Sequence, residues 1–329
     1  MIRLGHILYS NCFPVHARFL DEPVPSGIEL VPGVPAELNE QLGRGLIDVA
    51  PCSSIEYARH AGDYNILPGL AIASAGPVQS ILLETTIPPE HLDGRAVLVP
   101  TVSATSIVLL RILFERRFRV KANLRWFDQS RWDALAEHPH PRPLPGGEGD
   151  QSSAAGAAGE YSLSPTVGER VRVRGSGVSA TRAGPGMDPL DGGAAAAALW
   201  IGDVALRRVA PAGRQLLDLG AMWAEWTGLP FAYAVWQARA GVDTGALNRL
   251  HCLLLESRSW FESHVDALAR RHASRFGIDA GRLAPYWRSL RYTLDDETER
   301  GLLHFYRLAA ELGEATPVEA LRWACANRG

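Results

Sequence analysis

The chemistry on offer in this sequence is carried by hydroxyls placed where strands end and helices begin. The segment Gly33–Ser54 reads as a short helix, a turn, a buried strand and then two serines. Leu38, Leu42 and Leu46 recur every four residues, as one face of a helix requires, and Gly43 and Gly45 supply its stop. Ile47, Val49 and Ala50 enter a strand, which leaves Ser53 and Ser54 at its carboxyl end. In open α/β sheets that end is where ligands bind. A second group, Ser103, Thr105 and Ser106, leads into the apolar helix Ile107 to Arg117. Free N–H groups and partial positive charge at a helix start suit a carboxylate. Both groups have a plainer reading, in which the hydroxyls only cap the helices that follow.

Other elements must hold these groups. Ile2 to Tyr9 is expected to be a first strand, with Ser10-Asn11-Cys12-Phe13-Pro14 as the loop at its end and a helix over Val15 to Leu20. Further strands are expected at 28–32, 66–72, 78–84 and 95–100. After a compositional break, Ala198–Leu206 reads as a strand with a turn at Gly202-Asp203, and Phe231 to Ala238 as a buried strand. From about Thr244 the chain reads as helical, with helices at Asn248–Arg271, Leu283–Leu290 and Asp296–Leu312 and a last one opening at Pro317. Strands alternating with helices predict βαβ units and a largely parallel sheet.

The break runs from about His138 to Gly193 and is rich in Pro, Gly, Ser, Ala and Arg. A structureless stretch of that length rarely belongs to a compact core, so it is read as a disordered, dispensable insertion in a surface loop. A basic recognition patch around Arg170, Arg172 and Arg174 is the alternative.

At 329 residues the chain can build two lobes, each with a core. A formal charge of −3 and the lack of a broad basic stripe argue against nucleic acid or an anionic membrane as partner. Cys12, Cys52, Cys252 and Cys325 have no metal-ligand spacing and read as reduced small hydrophobes; the ten histidines form no paired metal motif. His6, on the first strand, either faces the cleft or packs. No secretory signal or membrane-length apolar run is visible, so a cytoplasmic location is expected.

Four stretches resemble the MqnA/MqnD family of menaquinone biosynthesis by the futalosine route, more closely its chorismate dehydratase branch: His6–Pro14, Gly33–Ser54, Trp200–Leu206 and Asp218–Phe231. The likeness covers the chain apart from the insertion. It implies an α/β, type-2 periplasmic-binding-protein-like fold whose two lobes close on a ligand by hinge motion. Lobe one would be 1–87 with 229–329, including the C-terminal helices, and lobe two 88–228 with the insertion at about 138–193. The implied reaction removes water from chorismate to give 3-[(1-carboxyvinyl)oxy]benzoate, with no metal or organic cofactor and a small dicarboxylate as partner.

The resemblance further places ligand contacts at the strand-end serines, Ser53 and Ser54, and at the pair Thr105–Ser106; Ser103 is a candidate by its place at the same helix start, and Ser80 faces the cleft by the same logic. It puts the catalytic asparagine at Asn11. An amide is a poor base but orients a proton or hydroxyl by hydrogen bonding; the plain alternative is an asparagine stabilising its own turn. The family's cyclase branch, which makes dihydroxy-6-naphthoate from cyclic de-hypoxanthine futalosine, is expected to carry a histidine base where this chain has Gly202, which disfavours that reaction. Asp203 is either a contact to the departing hydroxyl or a structural turn residue. A non-catalytic small-carboxylate binder of the same fold is the rival from another class.

Overall fold

The structure is a computed structural model that describes residues 1–129, 189–191 and 193–325. The insertion expected at about 138–193 lies almost wholly outside the described residues. Two five-stranded sheets form the frame among the described residues. The first has the order β2-β1-β3-β10-β4, with β1 Ile2–Ile7, β2 Ile28–Gly33, β3 Val49–Ser53, β4 Tyr64–Ser74 and β10 Phe231–Arg239. The second has the order β7-β6-β8-β5-β9, with β5 Ile81–Thr85, β6 Ala96–Pro100, β7 Asn123–Phe127, β8 Ala197–Ile201 and β9 Gln215–Asp218.

The sheets are mixed rather than largely parallel. β1 runs parallel to β2 and β3, whereas β10 is antiparallel to β3 and β4. In the second sheet β6 is parallel to β7 and β8, and β5 is antiparallel to β8 and β9. The antiparallel strands are those that follow a change of sheet. The chain leaves the first sheet between Ser74 and Ile81 and returns between Asp218 and Phe231. β5, expected within lobe one, therefore sits in the second sheet, because its hydrogen-bonding partners are β8 and β9.

Helices follow most strands. They are α1 Phe13–Asp21, α2 Pro35–Gly43, α3 Ser54–Arg59, α4 Ala104–Ile112, α5 Gly202–Arg207, α6 Leu219–Thr227, α7 Thr244–Phe276, α8 Ala280–Ser289 and α9 Asp296–Glu311. Asp218, Asp243, Asp279 and Asp295 cap α6 to α9, each side chain accepting a backbone N–H of the first turn. The long α7 packs on α1, and α9 packs on β10. Gly301 makes the second contact possible, since a Cβ there would run into the Pro230 carbonyl.

Several expected elements differ. α2 stops at Gly43, so Leu46 falls beyond the helix and is 53% exposed rather than on its apolar face. Val78 lies outside a strand. Its N–H and that of Gln79 are claimed by the Asp218 carboxylate at 3.0 and 2.6 Å, before β5 begins at Ile81. The helix expected to start at Ile107 starts at Ala104 and becomes a π-helix over Leu113–Phe118. β7 and β9, of five and four residues, were not expected. Gly202-Asp203 opens α5 rather than making a turn inside a strand. No helix starts at Pro317: Ile66 N–H donates to the Arg322 carbonyl and Ala324 N–H to the Ile66 carbonyl, so this tail is pinned along the edge of β4.

Candidate functional site

A cavity lies between the carboxyl ends of the two sheets. The first sheet's side contributes Ile7, Tyr9, Asn11, Ser53, Tyr233 and neighbours; the second contributes Ser80, Ser103, Ser106 and Gly202. Five of the eight residues singled out in the sequence thus share one wall or another of this cavity.

Asn11 lies in the tight turn between β1 and α1, closed by Cys12 N–H on the Tyr9 carbonyl and Phe13 N–H on the Ser10 carbonyl. Phe13, at the start of α1, stacks on Trp287 with ring centroids 5.2 Å apart, which anchors the turn from behind. The Asn11 Oδ1 is buried and has no hydrogen-bond partner among the described residues.

Ser53 ends β3, and its carbonyl accepts Gln237 Nε2 at 3.1 Å. Ser80 is buried, and Tyr286 donates its hydroxyl to Ser80 Oγ at 2.9 Å. A serine hydroxyl has one proton to give, and accepting from Tyr286 leaves that proton for the cavity. Ser103 stands at the N-cap of α4 but caps nothing with its side chain; its Oγ lies 3.0 Å from Ser106 Oγ. The α4 N-terminus therefore offers two hydroxyls and unspent N–H groups at the cavity.

Ser54 and Thr105 are not on the cavity wall. Strand and helix parity turns them the other way. Ser54 Oγ donates to the Ala232 carbonyl at 2.8 Å, and Thr105 Oγ1 accepts Ile55 N–H at 3.2 Å while facing Ser54 Oγ at 3.4 Å. They join α3 to α4 across the cleft. Asp203, read in the sequence either as a contact to the departing hydroxyl or as a structural turn residue, is not among the cavity's lining residues; it accepts the Ser10 hydroxyl at 2.5 Å and faces the Ser10 N–H with both oxygens at 3.2 Å.

Gly202 has φ +65°, a conformation that other residues adopt at a cost, and a Cβ there would lie 3.2 Å from the Tyr9 ring. Its N–H donates to the Ser80 carbonyl at 2.8 Å. Tyr9, Tyr233 and Tyr286 escaped the sequence reading. A hydroxyl-bearing ring in the otherwise apolar run of β10 was the one available signal for Tyr233; it pairs with Ser74 Oγ at 2.9 Å. Tyr286 is 206 residues from Ser80, and no local pattern connects them.

Among the described residues the cavity lining has no carboxylate, imidazole, ammonium or guanidinium. A bound anion would be held by hydroxyls, the Asn11 amide and helix-start N–H groups. Behind β1, His6, Cys12 and His16 place their ligand atoms within 4.8 Å of one another. Trp236 donates its indole N–H to His16 Nε2 at 3.0 Å, so His16 carries its proton on Nδ1 and gives it to His6 Nδ1 at 2.9 Å. Burial pushes the Cys12 thiol up to about 12 and holds both imidazoles well below the usual histidine range. A protonated thiol and two imidazoles spent on a hydrogen-bond chain are core packing, and His6 belongs to it rather than to the cleft.

A family model described as menaquinone biosynthesis matches residues 2–141 and 176–311, passing over 142–175. The chain is 27% identical over 308 residues to the chorismate dehydratase of Thermus thermophilus, covering 92% of this chain and 93% of that protein. Among solved structures it is similar to protein AF1704 from Archaeoglobus fulgidus, with TM-score 0.65 and 17% identity over 95% of this chain and 97% of that one. It is also similar to the periplasmic aliphatic sulphonate binding protein SsuA from Escherichia coli, with TM-score 0.57 and 14% identity over 100% and 96%. The structural likenesses show an α/β, periplasmic-binding-protein-like fold. Matched along most of its length, the chain belongs to the menaquinone biosynthesis family.

Proposed function

We propose that this protein is a chorismate dehydratase, a carbon–oxygen lyase that converts chorismate to 3-[(1-carboxyvinyl)oxy]benzoate and water. The observation that carries this reading is a cavity between two sheets whose polar side chains are hydroxyls and one amide set among apolar residues, without an ionised side chain among its described lining residues. Such a wall suits a dianion whose reaction is driven by aromatisation and needs pose more than acid–base power.

In this reading Ser103 and Ser106, with the N-terminus of α4, hold one carboxylate from the second sheet's side. Ser53 and Ser80 donate from the walls around it. Asn11 aligns the departing hydroxyl through its amide. The C–H bond on the ring carbon bearing the enolpyruvyl ether breaks, its electron pair forms the new ring double bond, and the neighbouring C–O bond breaks. With no base among the described lining residues, a carboxylate of the substrate itself takes the proton and passes it to the departing hydroxyl, which leaves as water. The cleft opens and closes about the links at residues 75–80 and 219–230.

Gly202 supports the dehydratase over the family's cyclase, since no base stands at that position. The test is to mix the full chain with chorismate and follow loss of its diene absorbance and appearance of the carboxyvinyloxy-benzoate by chromatography. Saturable binding without product would instead make the protein a non-catalytic carboxylate binder, and neither binding nor product would refute both.

A further inference from the structure

We propose that Asp203 is a positioning residue that acts across the cleft, through Ser10, on Asn11. This rests on the dehydration proposed for the same cavity, because Asn11 matters only where a reaction takes place beside it.

Asp203 stands in the first turn of α5, which follows β8 of the second sheet, and Ser10 follows β1 of the first. The carboxylate takes both protons that Ser10 can offer, the hydroxyl at 2.5 Å and the backbone N–H at 3.2 Å. The third polar group of Ser10 is held from behind, where Trp287 Nε1 donates to its carbonyl at 2.8 Å. Ser10 is fully buried. Its backbone therefore has little freedom, and the residue it delivers into the cavity is Asn11.

Asn11 needs that support. Its Oδ1 has no partner among the described residues, so no side-chain contact at that atom fixes where the amide points. Its placement depends on the backbone to which it is attached. Asp203 in turn is held in place by its own helix. Four residues on, Arg207 donates to the Phe276 carbonyl at 2.8 Å, at the C-terminal end of α7 where a cation is favoured. The short α5 thus clasps the first sheet's side of the cleft at both ends. A misplacement of about 1 Å in a group of this kind can cost roughly a hundredfold in rate.

A ligand contact and a positioning role differ in what their loss does. Removing a uniform contact to substrate raises KM, whereas misplacing Asn11 lowers kcat. The test is steady-state kinetics on chorismate with the full chain and the variants Asp203→Asn, Ser10→Ala, Ser10→Thr and the Asp203→Asn/Ser10→Ala pair. The expected result is a kcat lower by about 10- to 100-fold in Asp203→Asn, with KM within about threefold of the parent. Ser10→Ala falls in the same way, the pair is no worse than the poorer single variant, and Ser10→Thr, which keeps a hydroxyl, recovers most of the rate. A second readout needs no turnover: the side-chain amide signal of Asn11 in a nitrogen–proton NMR spectrum, identified by its loss in Asn11→Ser, shifts in Asp203→Asn. Parental kcat in Asp203→Asn, a loss confined to KM, or an unmoved Asn11 signal overturns the proposal. Should Asp203→Asn not fold, Ser10→Ala carries the same two readings. A parent chain that leaves chorismate untouched refutes the dehydratase instead, and the Asn11 signal then decides the role of Asp203 alone.

Discussion

Asn11 carries the sharpest prediction because its amide is neutral and the other described residues lining the cavity are neutral too. Asn11→Ala is expected to lower kcat on chorismate by about 100-fold, the usual cost of losing one well-placed transition-state hydrogen bond. Asn11→Asp keeps the shape and adds a negative charge to a wall with no cation among its described residues. It should therefore raise KM for the dianion as well as lower kcat, and steady-state kinetics that return the parental KM would refute an anion-holding cavity. Gly202 is constrained differently. At φ +65° a side chain costs about 1–2 kcal/mol from the backbone alone, and a Cβ would press on the Tyr9 ring at 3.2 Å. Gly202→Ala is expected to lower the unfolding free energy by at least that amount, read as a lower urea midpoint with the m-value unchanged; a neutral substitution would mean that neither the backbone nor Tyr9 resists the side chain.

β1, α1 and β10 are joined behind the cavity by the chain Trp236 to His16 to His6. Burial pushes His16 down to about 3, and His6 is held well below its usual range by burial, by His16 and by Arg275. In the unfolded chain both titrate near 6.5. The folded state binds fewer protons, so the stability these histidines contribute is complete above about pH 6.5 and is lost as pH falls from there toward about 3. From pH 6.5 to 5 the loss is about 2 kcal/mol for His16 alone, and His251, His272 and His304, also lowered by burial, act in the same direction. Urea midpoints at pH 7 and pH 5 check this; equal values would mean that the chain opens to water. Elements were legible in the sequence where their pattern was local and long. β10 was expected at Phe231–Ala238 and found at Phe231–Arg239, and α9 was expected at Asp296–Leu312 and found at Asp296–Glu311. β9, four residues long, is too short for a period to show, and Pro317 could not reveal that its neighbours are claimed by Ile66. At the candidate site the strand ends were legible but not the facing of side chains. Of adjacent hydroxyls, Ser53 and Ser106 reach the cavity while Ser54 and Thr105 meet each other away from its wall, a choice that depends on which face of each element the tertiary fold turns to the cavity.

At the scale of the whole molecule the two sheets are held together by more than the links that carry the chain between them. Beside the Thr105 and Asp203 contacts, Glu314 is buried between Arg59 of α3 and Arg111 of α4, and Arg116 pairs with Glu311 of α9 at 3.3 Å. These contacts touch α3, α4, α5 and the C-terminal helices, and none of them involves the segment that interrupts the family match at 142–175. The described residues on either side of that interruption are fastened independently to β8. Gln129 accepts Ile201 N–H and donates to the Ile201 carbonyl, both at 3.1 Å, while Leu190 joins Phe127, Ala198 and Trp200 in a small core of its own. Because both anchors lie outside the segment, excising residues 142–175 is expected to leave the melting temperature within a few degrees and kcat and KM on chorismate within about twofold. Excision shortens only the stretch of chain between those two anchors, and the cost of closing a loop changes slowly with its length. Thermal melting and steady-state kinetics of the shortened chain beside the full one test this. A collapse of either value would give the segment a part in holding β8, and through β8 and α5 the Asp203 contact, in place.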